Sequence, residues 1–574
     1  MAEADERRRL STLDLVGLAA GGVVGSGWLM AAGSVYAEAG DGAVWAWVIG
    51  GALMLLIAAV MVELGIALPK TGGLIFLPLQ AAGPLVATVV AAGLWIAYAV
   101  NPASEAVAMV HGLAFQFESL LEQEGGTYRL SGAGWLWAVV FMAAIVGLNL
   151  LPPRRLIRLN LFVTAVKVLI PVLIIVFLGT AAADTCRPGD VWHFSTLRES
   201  ARSQAGTISP LYVVLGGSII YAYIGFQAPL DFAGNVKRRG TGEAARLRWA
   251  VYGTLIGAFL LYTALQLVFV QHCGRPMTNM LDSPYAQFAM ALSMTWLVWL
   301  VHVDALLSPM GSGIVFTHAL TREVAALSRA HLTHRGLQTA RRASFRFRGA
   351  EIDAYWMILL VNFVIGLGML ALARGRWEEL VALNSVPTMV VYALPGVVLV
   401  ALRPPGVRGA RRRVHLALAY TAFIAIALVI HEARWADVWR GMAAVGIGAA
   451  LLLGLPRLAR LDLPFVGRLL RRYDARDHVS RFAAPGDPAV RPMLLFLAHL
   501  AVLVVCTFLR EHLGDKDHAY DPLDVATLLI VTVSAAVVFP LMVRAARRYM
   551  ASAPPTLPAP RPEPRPKSPV TEGT

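Results

Sequence analysis

Charge and cysteine are both scarce in this sequence. Only 15% of the 574 residues are charged, against roughly 25% in a soluble domain, a deficit too large for a water-soluble globule. Three cysteines exclude a disulfide-framework class. Enzyme signatures are missing as well. There is no G-x-x-x-x-G-K-[ST], H-E-x-x-H or C-x-x-C, so neither ATP-driven transport nor metal or thiol catalysis within the chain has sequence support. No metal or cofactor is implied. No stretch between apolar runs is large enough for a catalytic domain; the longest, about 321–352, is short and basic. A filter-like repeat is lacking, which disfavours a channel. No A-x-A-like site followed by a soluble domain comes after the first apolar run, so no separate cleavable signal is expected.

What is present is apolar: 57% of residues are hydrophobic and the mean hydropathy is +0.62. The apolar runs are mostly long enough to cross about 30 Å of hydrocarbon as helices. They predict an all-α polytopic membrane protein with about fourteen spans: 13–34, 43–68, 84–113, 134–152, 160–181, 207–233, 249–271, 286–320, 353–373, 379–402, 413–431, 438–456, 492–510 and 524–546. The eighth is too long for one straight span, so part of it is expected to extend beyond the membrane. Residues 1–12 read as a cytoplasmic tail and 13–402 as a core. Residues 403–546 read as accessory helices, and the Pro-rich 547–574 as a disordered tail.

The net charge of +14 would suggest nucleic-acid binding in a soluble protein. Here its placement decides otherwise. With the N-terminus inside, 38 of the 50 lysines and arginines fall on the inner side, 11 on the outer, and Lys167 lies within a span. That bias follows the positive-inside rule. The runs Arg7-Arg8-Arg9, Lys237-Arg238-Arg239, Arg341-Arg342 and Arg411-Arg412-Arg413 are therefore topology determinants, with both termini cytoplasmic and the bilayer, not nucleic acid, as partner. Cys186 and Cys273 both fall in outer loops, where they form either a disulfide or two unrelated thiols. Cys506 lies in a span and is expected to pack.

Two spans carry glycine clusters near mid-membrane. The first holds Gly21-Gly22-Val23-Val24-Gly25-Ser26-Gly27-Trp28; the sixth holds Gly216-Gly217 and, further on, Tyr223-Ile224-Gly225-Phe226-Gln227-Ala228-Pro229. Gly and Pro weaken the helical ladder. Non-helical backbone at that depth is tolerated only inside protein or along a cavity. Interruptions five spans apart point to inverted repeats, about 13–181 and 207–402, with a substrate site between them. Close helix packing through small residues is the other reading.

Gly-Ser-Gly-Trp-Leu at 25–29, Tyr-Ile-Gly-Phe-Gln at 223–227 and Phe-Ala-Gly-Asn-Val-Lys at 232–237 resemble motifs of the amino acid–polyamine–organocation permeases. The resemblance spans roughly residues 11–402. It implies a LeuT-like fold of five plus five helices, with helices 1 and 6 broken and alternating access. It also implies that Gly25, Ser26 and Gly27 bind the substrate carboxylate. Such backbone N–H groups at a positive helix end suit an anion. Tyr221, Tyr223, Ile224 and Gln227 would hold the amino group and shape the side-chain pocket; packing aromatics are the alternative for the tyrosines. The chain departs from the family pattern at Gln227 and Asn235, each in place of glutamate, and in lacking the trailing proline. The Gln227 change argues against cationic substrates.

Ionisable residues within spans are functional candidates by default. Lys167, in the fifth span before Pro171, is expected to face the first-helix break and the eighth span, with Ser308 and Ser312 as partners. The resemblance adds that some proton-coupled relatives place a lysine on this helix where sodium-coupled ones hold an ion. Snorkelling to the interface is the alternative. Glu105 and Asp304 are further candidates for proton relay or substrate contact, or else are paired structurally. His111 and His302 are expected to pack. The reading is a secondary transporter for an amino acid, coupled to protons, in the cytoplasmic membrane. An exchanger without proton coupling and a non-transporting sensor remain alternatives.

Overall fold

A computed structural model describes residues 10–68, 73–124, 127–181, 218–231, 242–272, 283–337, 342–347, 350–353, 355–402, 408–461, 473, 475–514 and 521–552. The Cys186–Cys273 question, Gly216-Gly217, the 232–237 motif, and the Arg7–Arg9, Lys237–Arg239 and 553–574 segments lie outside these residues.

The first expected span is two helices, α1 (Thr12–Val23) and α2 (Gly27–Ala39), followed by α3 (Ala43–Ala67). Helix α1 starts at a capping box: Ser11 accepts from the Asp14 N–H and the Asp14 carboxylate accepts from the Ser11 N–H. A short helix α4 (Gly73–Ala82) precedes the long α5 (Pro84–Ala114). Helices α6 (Gly132–Leu148) and α7 (Pro153–Ala181) complete the first half. The sixth span is described as two short pieces, α8 (Ile219–Tyr223) and α9 (Ala228–Asp231). Then come α10 (Gly242–His272), α11 (Pro284–Ala291), α12 (Thr295–Arg329), α13 (Trp356–Leu372), α14 (Trp377–Tyr392) and α15 (Leu394–Leu402). The last four are α16 (Gly409–Glu432), α17 (Trp435–Leu458), α18 (Val490–Leu513) and α19 (Pro522–Ser552). Two antiparallel hairpins, Leu121–Glu124 with Thr127–Leu130 and Arg342–Phe347 with Ala350–Asp353, decorate the connections.

Eleven stretches of the described helix are long and apolar enough to cross a membrane; α4, α6 and α13 are shorter apolar helices. Two details differ from the expected spans. The 69–83 connection, expected as a loop, contains α4. The eighth span divides at Leu292–Met294, and its main helix runs on to Arg329, about 50 Å of helix at 1.5 Å per residue. The tenth span stays one membrane-crossing stretch, Trp377–Leu402, with helical dihedrals at Ala393 between α14 and α15.

Burial separates core from rim. The apolar window of α5 is 94% buried, that of α14–α15 89% and that of α1–α2 83%; α17 and α19 reach only 28% and 33%. The rim helices turn Phe162, Trp249, Ile447 and Val533 outward. That suits lipid contact, because hydrocarbon does not penalise an exposed apolar side chain. Cys506 is buried in α18 as expected, and His302 stacks on Phe115 at 3.8 Å.

Candidate functional site

A helix that stops inside a bundle leaves carbonyls at one end and N–H groups at the other. Helix α1 stops at Val23, and its last carbonyls are met by side chains from three different helices. Lys167 of α7 donates Nζ to the Gly21 oxygen at 2.6 Å. Ser312 of α12 donates to the Gly22 oxygen at 3.2 Å. Tyr262 of α10 donates to the Val23 oxygen at 3.0 Å. Further down, Asn160 donates to the Gly17 oxygen at 2.8 Å. The ammonium sits at the negative end of the helix, where a cation is favoured.

The positive end, where α2 begins, is met by a carboxylate. Glu105 Oε2 accepts from the Ser26 N–H at 3.1 Å. Its Oε1 accepts from the Tyr221 hydroxyl at 2.9 Å and from the Asn101 amide at 3.5 Å. Asn101 also donates to Tyr221 at 3.2 Å, and Ser104 Oγ lies 2.8 Å from the same hydroxyl. Trp377 of α14 donates to Ser26 Oγ at 3.4 Å and meets the Tyr221 ring edge-on, centroids 5.9 Å apart. All of these groups are buried.

The two breaks touch through backbone. Gly225 has φ +121°, a conformation side chains rarely adopt, and a Cβ there would overlap the Gly22 carbonyl carbon. A Cβ on Gly22 would come within 3.0 Å of Gly225. On Gly25 it would meet Glu105 Oε1 at 2.7 Å and Ser312 at 2.9 Å, and on Gly27 it would meet Ala222 at 2.7 Å. Glycine is required here because neighbouring atoms already fill the space.

The expected residues are therefore partly assembled. Gly25, Ser26, Gly27, Tyr221, Glu105, Lys167 and Ser312 converge on the break. Of the three N–H groups at 25–27 expected to meet a carboxylate, two already have acceptors: Gly25 N–H is bonded to the Val23 oxygen at 3.0 Å and Ser26 N–H to Glu105. Gln227 is bonded within the protein at both ends of its amide. Its amide nitrogen donates to the Tyr98 hydroxyl at 2.9 Å and its oxygen accepts from the Gly225 N–H at 2.9 Å, so it braces the sixth-helix break. Tyr223 packs on Trp47 and Tyr262 and donates to the Trp47 oxygen at 3.4 Å. Ile224 is buried with extended backbone at the end of α8. Ser308 donates to Asp304 Oδ2 at 3.0 Å, and no bond from Lys167 to Ser308 is seen among the described residues. Asp304 is fully buried, as is Lys167. Asn101, Ser104, Trp377 and Tyr262 are site residues the sequence reading missed. For Asn101 and Ser104 a signal existed: with Glu105 they form a polar i, i+3, i+4 face inside an apolar span.

The chain matches the sequence profile of the amino acid permease family over residues 10–452. It belongs to that family. Membership brings the LeuT-like architecture, of which the two interrupted helices are the mark, and it makes the protein a permease rather than an enzyme. The chain is similar to a glutamate/serine transporter, AimA, of Bacillus subtilis (strain 168), with 28% identity over 75% of this chain and 78% of the relative. It is also similar to an aspartate-proton symporter of the same organism, with 26% identity over 69% and 73%. This permease is thus a multi-pass membrane protein of an amino-acid-transporting family.

Proposed function

We propose that this permease imports an acidic or neutral amino acid together with a proton. Import runs through alternating access between two halves, 13–181 and 207–402, in a cytoplasmic membrane with both termini inside. The observation that carries the reading is the Glu105 carboxylate bonded to the Ser26 N–H. An amino-acid carboxylate arriving at the first-helix break needs that same donor. Two carboxylates cannot share it in a buried site without strong repulsion. Glu105 therefore gives way, and a proton on it removes the repulsion and frees Ser26 and Tyr221 for the substrate. Substrate and proton then enter together. Lys167 holds the opposite end of the break through the Gly21 carbonyl; its loss of a proton to the inner side weakens that contact and favours release. Such a difference in contacts between states is what a coupling ion must supply.

The substrate class follows from charge. Gln227 adds no negative charge, and the one carboxylate on the break is the group to be neutralised. The relatives described as glutamate/serine and aspartate transporters support an acidic or neutral zwitterion. The test is uptake of labelled aspartate, glutamate and serine by purified protein in liposomes, with and without an inward proton gradient. Accumulation that depends on the gradient supports the reading. Uptake only against preloaded amino acid would make the protein an exchanger, and binding without uptake a sensor.

A further inference from the structure

On one face of the bundle, away from both breaks, a cleft of about 600 Å³ opens between α15, α16 and α19. Its walls are apolar, with Leu399, Phe539 and Val543 among them, and Tyr420 and Phe539 meet edge-on at its inner end, centroids 5.5 Å apart. Arg412 and Arg413 come from the first turn of α16, and Arg544 from the antiparallel end of α19. All three are exposed, and none has a carboxylate partner among the described residues. Their neighbour Arg411 behaves differently. It pairs with Glu63 at 2.8 Å, as Arg248 does at 2.7 Å, so its charge has a partner at the bundle surface. Arg547 closes the cleft floor by donating to the Val400 carbonyl of α15 at 2.9 Å.

The dimensions fit one kind of ligand. Tyr420 lies seven to eight residues beyond the two arginines, about 11 Å along the helix. Arg544 lies five residues from Phe539, about 7 Å. An apolar channel of that depth, with guanidinium groups from two helices at its mouth, takes the start of an acyl chain and a phosphate above it. Guanidinium groups bind phosphate oxygens in a planar fork, and basic pockets between membrane helices bind anionic head groups. We propose that this cleft is a binding site for an anionic phospholipid, which wedges the accessory helices α16 and α19 against α15.

Native mass spectrometry of the delipidated full chain tests it, with dioleoyl phosphatidylglycerol and dioleoyl phosphatidylcholine titrated in parallel and inorganic phosphate as a third arm. One phosphatidylglycerol should bind in preference to phosphatidylcholine. The triple variant Arg412→Gln, Arg413→Gln, Arg544→Gln should lose on the order of a hundredfold in that affinity, at roughly fivefold per arginine. Arg408→Gln, outside the cleft, should not. Val543→Trp, which fills the channel and keeps the arginines, should also lose the lipid; it keeps the test decisive if the triple variant fails to fold. Equal binding of the two lipids, or wild-type phosphatidylglycerol binding by Val543→Trp, would overturn the proposal. So would inorganic phosphate displacing the lipid at equal concentration, because the site would then read charge alone.

Discussion

At the scale of the residue, the first-helix break is held by a salt-like division of labour: an ammonium on its carbonyl end and a carboxylate on its N–H end. Lys167→Ala is expected to keep substrate binding and lose accumulation against a gradient. Lys167→Arg should not rescue it, because arginine keeps its proton. Binding by calorimetry beside gradient-driven uptake checks both, and full accumulation by the alanine variant would remove Lys167 from the mechanism. Gly25→Val should abolish amino-acid binding, since a Cβ there already meets Glu105 at 2.7 Å; a variant that folds and binds with unchanged affinity would contradict it. Lys167 was legible in the sequence because a single lysine inside an apolar span has few structural explanations. The seat of Glu105 was not, because 79 residues separate it from Ser26 and only the packing of α5 against the break brings them together. The bracing role of Gln227 was not legible either: its motif suggests a ligand contact, and its bonds to Gly225 and Tyr98 appear only once the sixth-helix break is folded.

At the scale of the element, both interrupted helices were legible from glycine clusters, and the structure supplies the reason for the glycines. Backbone meets backbone at Gly22 and Gly225, with no room for a side chain between. Gly225→Ala combines a φ of +121° with that overlap. It should lower the melting temperature in detergent, with backbone strain of about 1–3 kcal/mol, and should reduce transport with it. A variant with wild-type melting temperature and uptake would show that the breaks do not touch in the working protein. Helix ends were less legible than helix centres. Helix α4 escaped notice because it has only ten residues with Pro78 inside. The α14–α15 boundary escaped because apolarity and helical backbone both continue across Ala393, and only Pro395, with no N–H to donate, follows it.

At the scale of the whole molecule, a heavily buried set of helices around the two breaks is wrapped by lipid-facing ones. Among the described residues Glu105 is the carboxylate bonded to the first-helix break, and on the proposed reading its neutralisation sets the charge of the substrate. In competition assays aspartate, glutamate or serine should displace bound substrate better than arginine or a polyamine; the reverse order would mean that Glu105 stays ionised and pairs with a cationic ligand. The most direct test of the account is Glu105→Gln in liposomes, measured for equilibrium binding across pH, for exchange and for gradient-driven uptake. Glutamine keeps the size of the side chain and presents no charge to the substrate carboxylate. In Glu105→Gln, binding should lose the part of its pH dependence that Glu105 confers, exchange should persist, and accumulation should no longer respond to the proton gradient. Accumulation by Glu105→Gln that follows the gradient as the wild type does would contradict it.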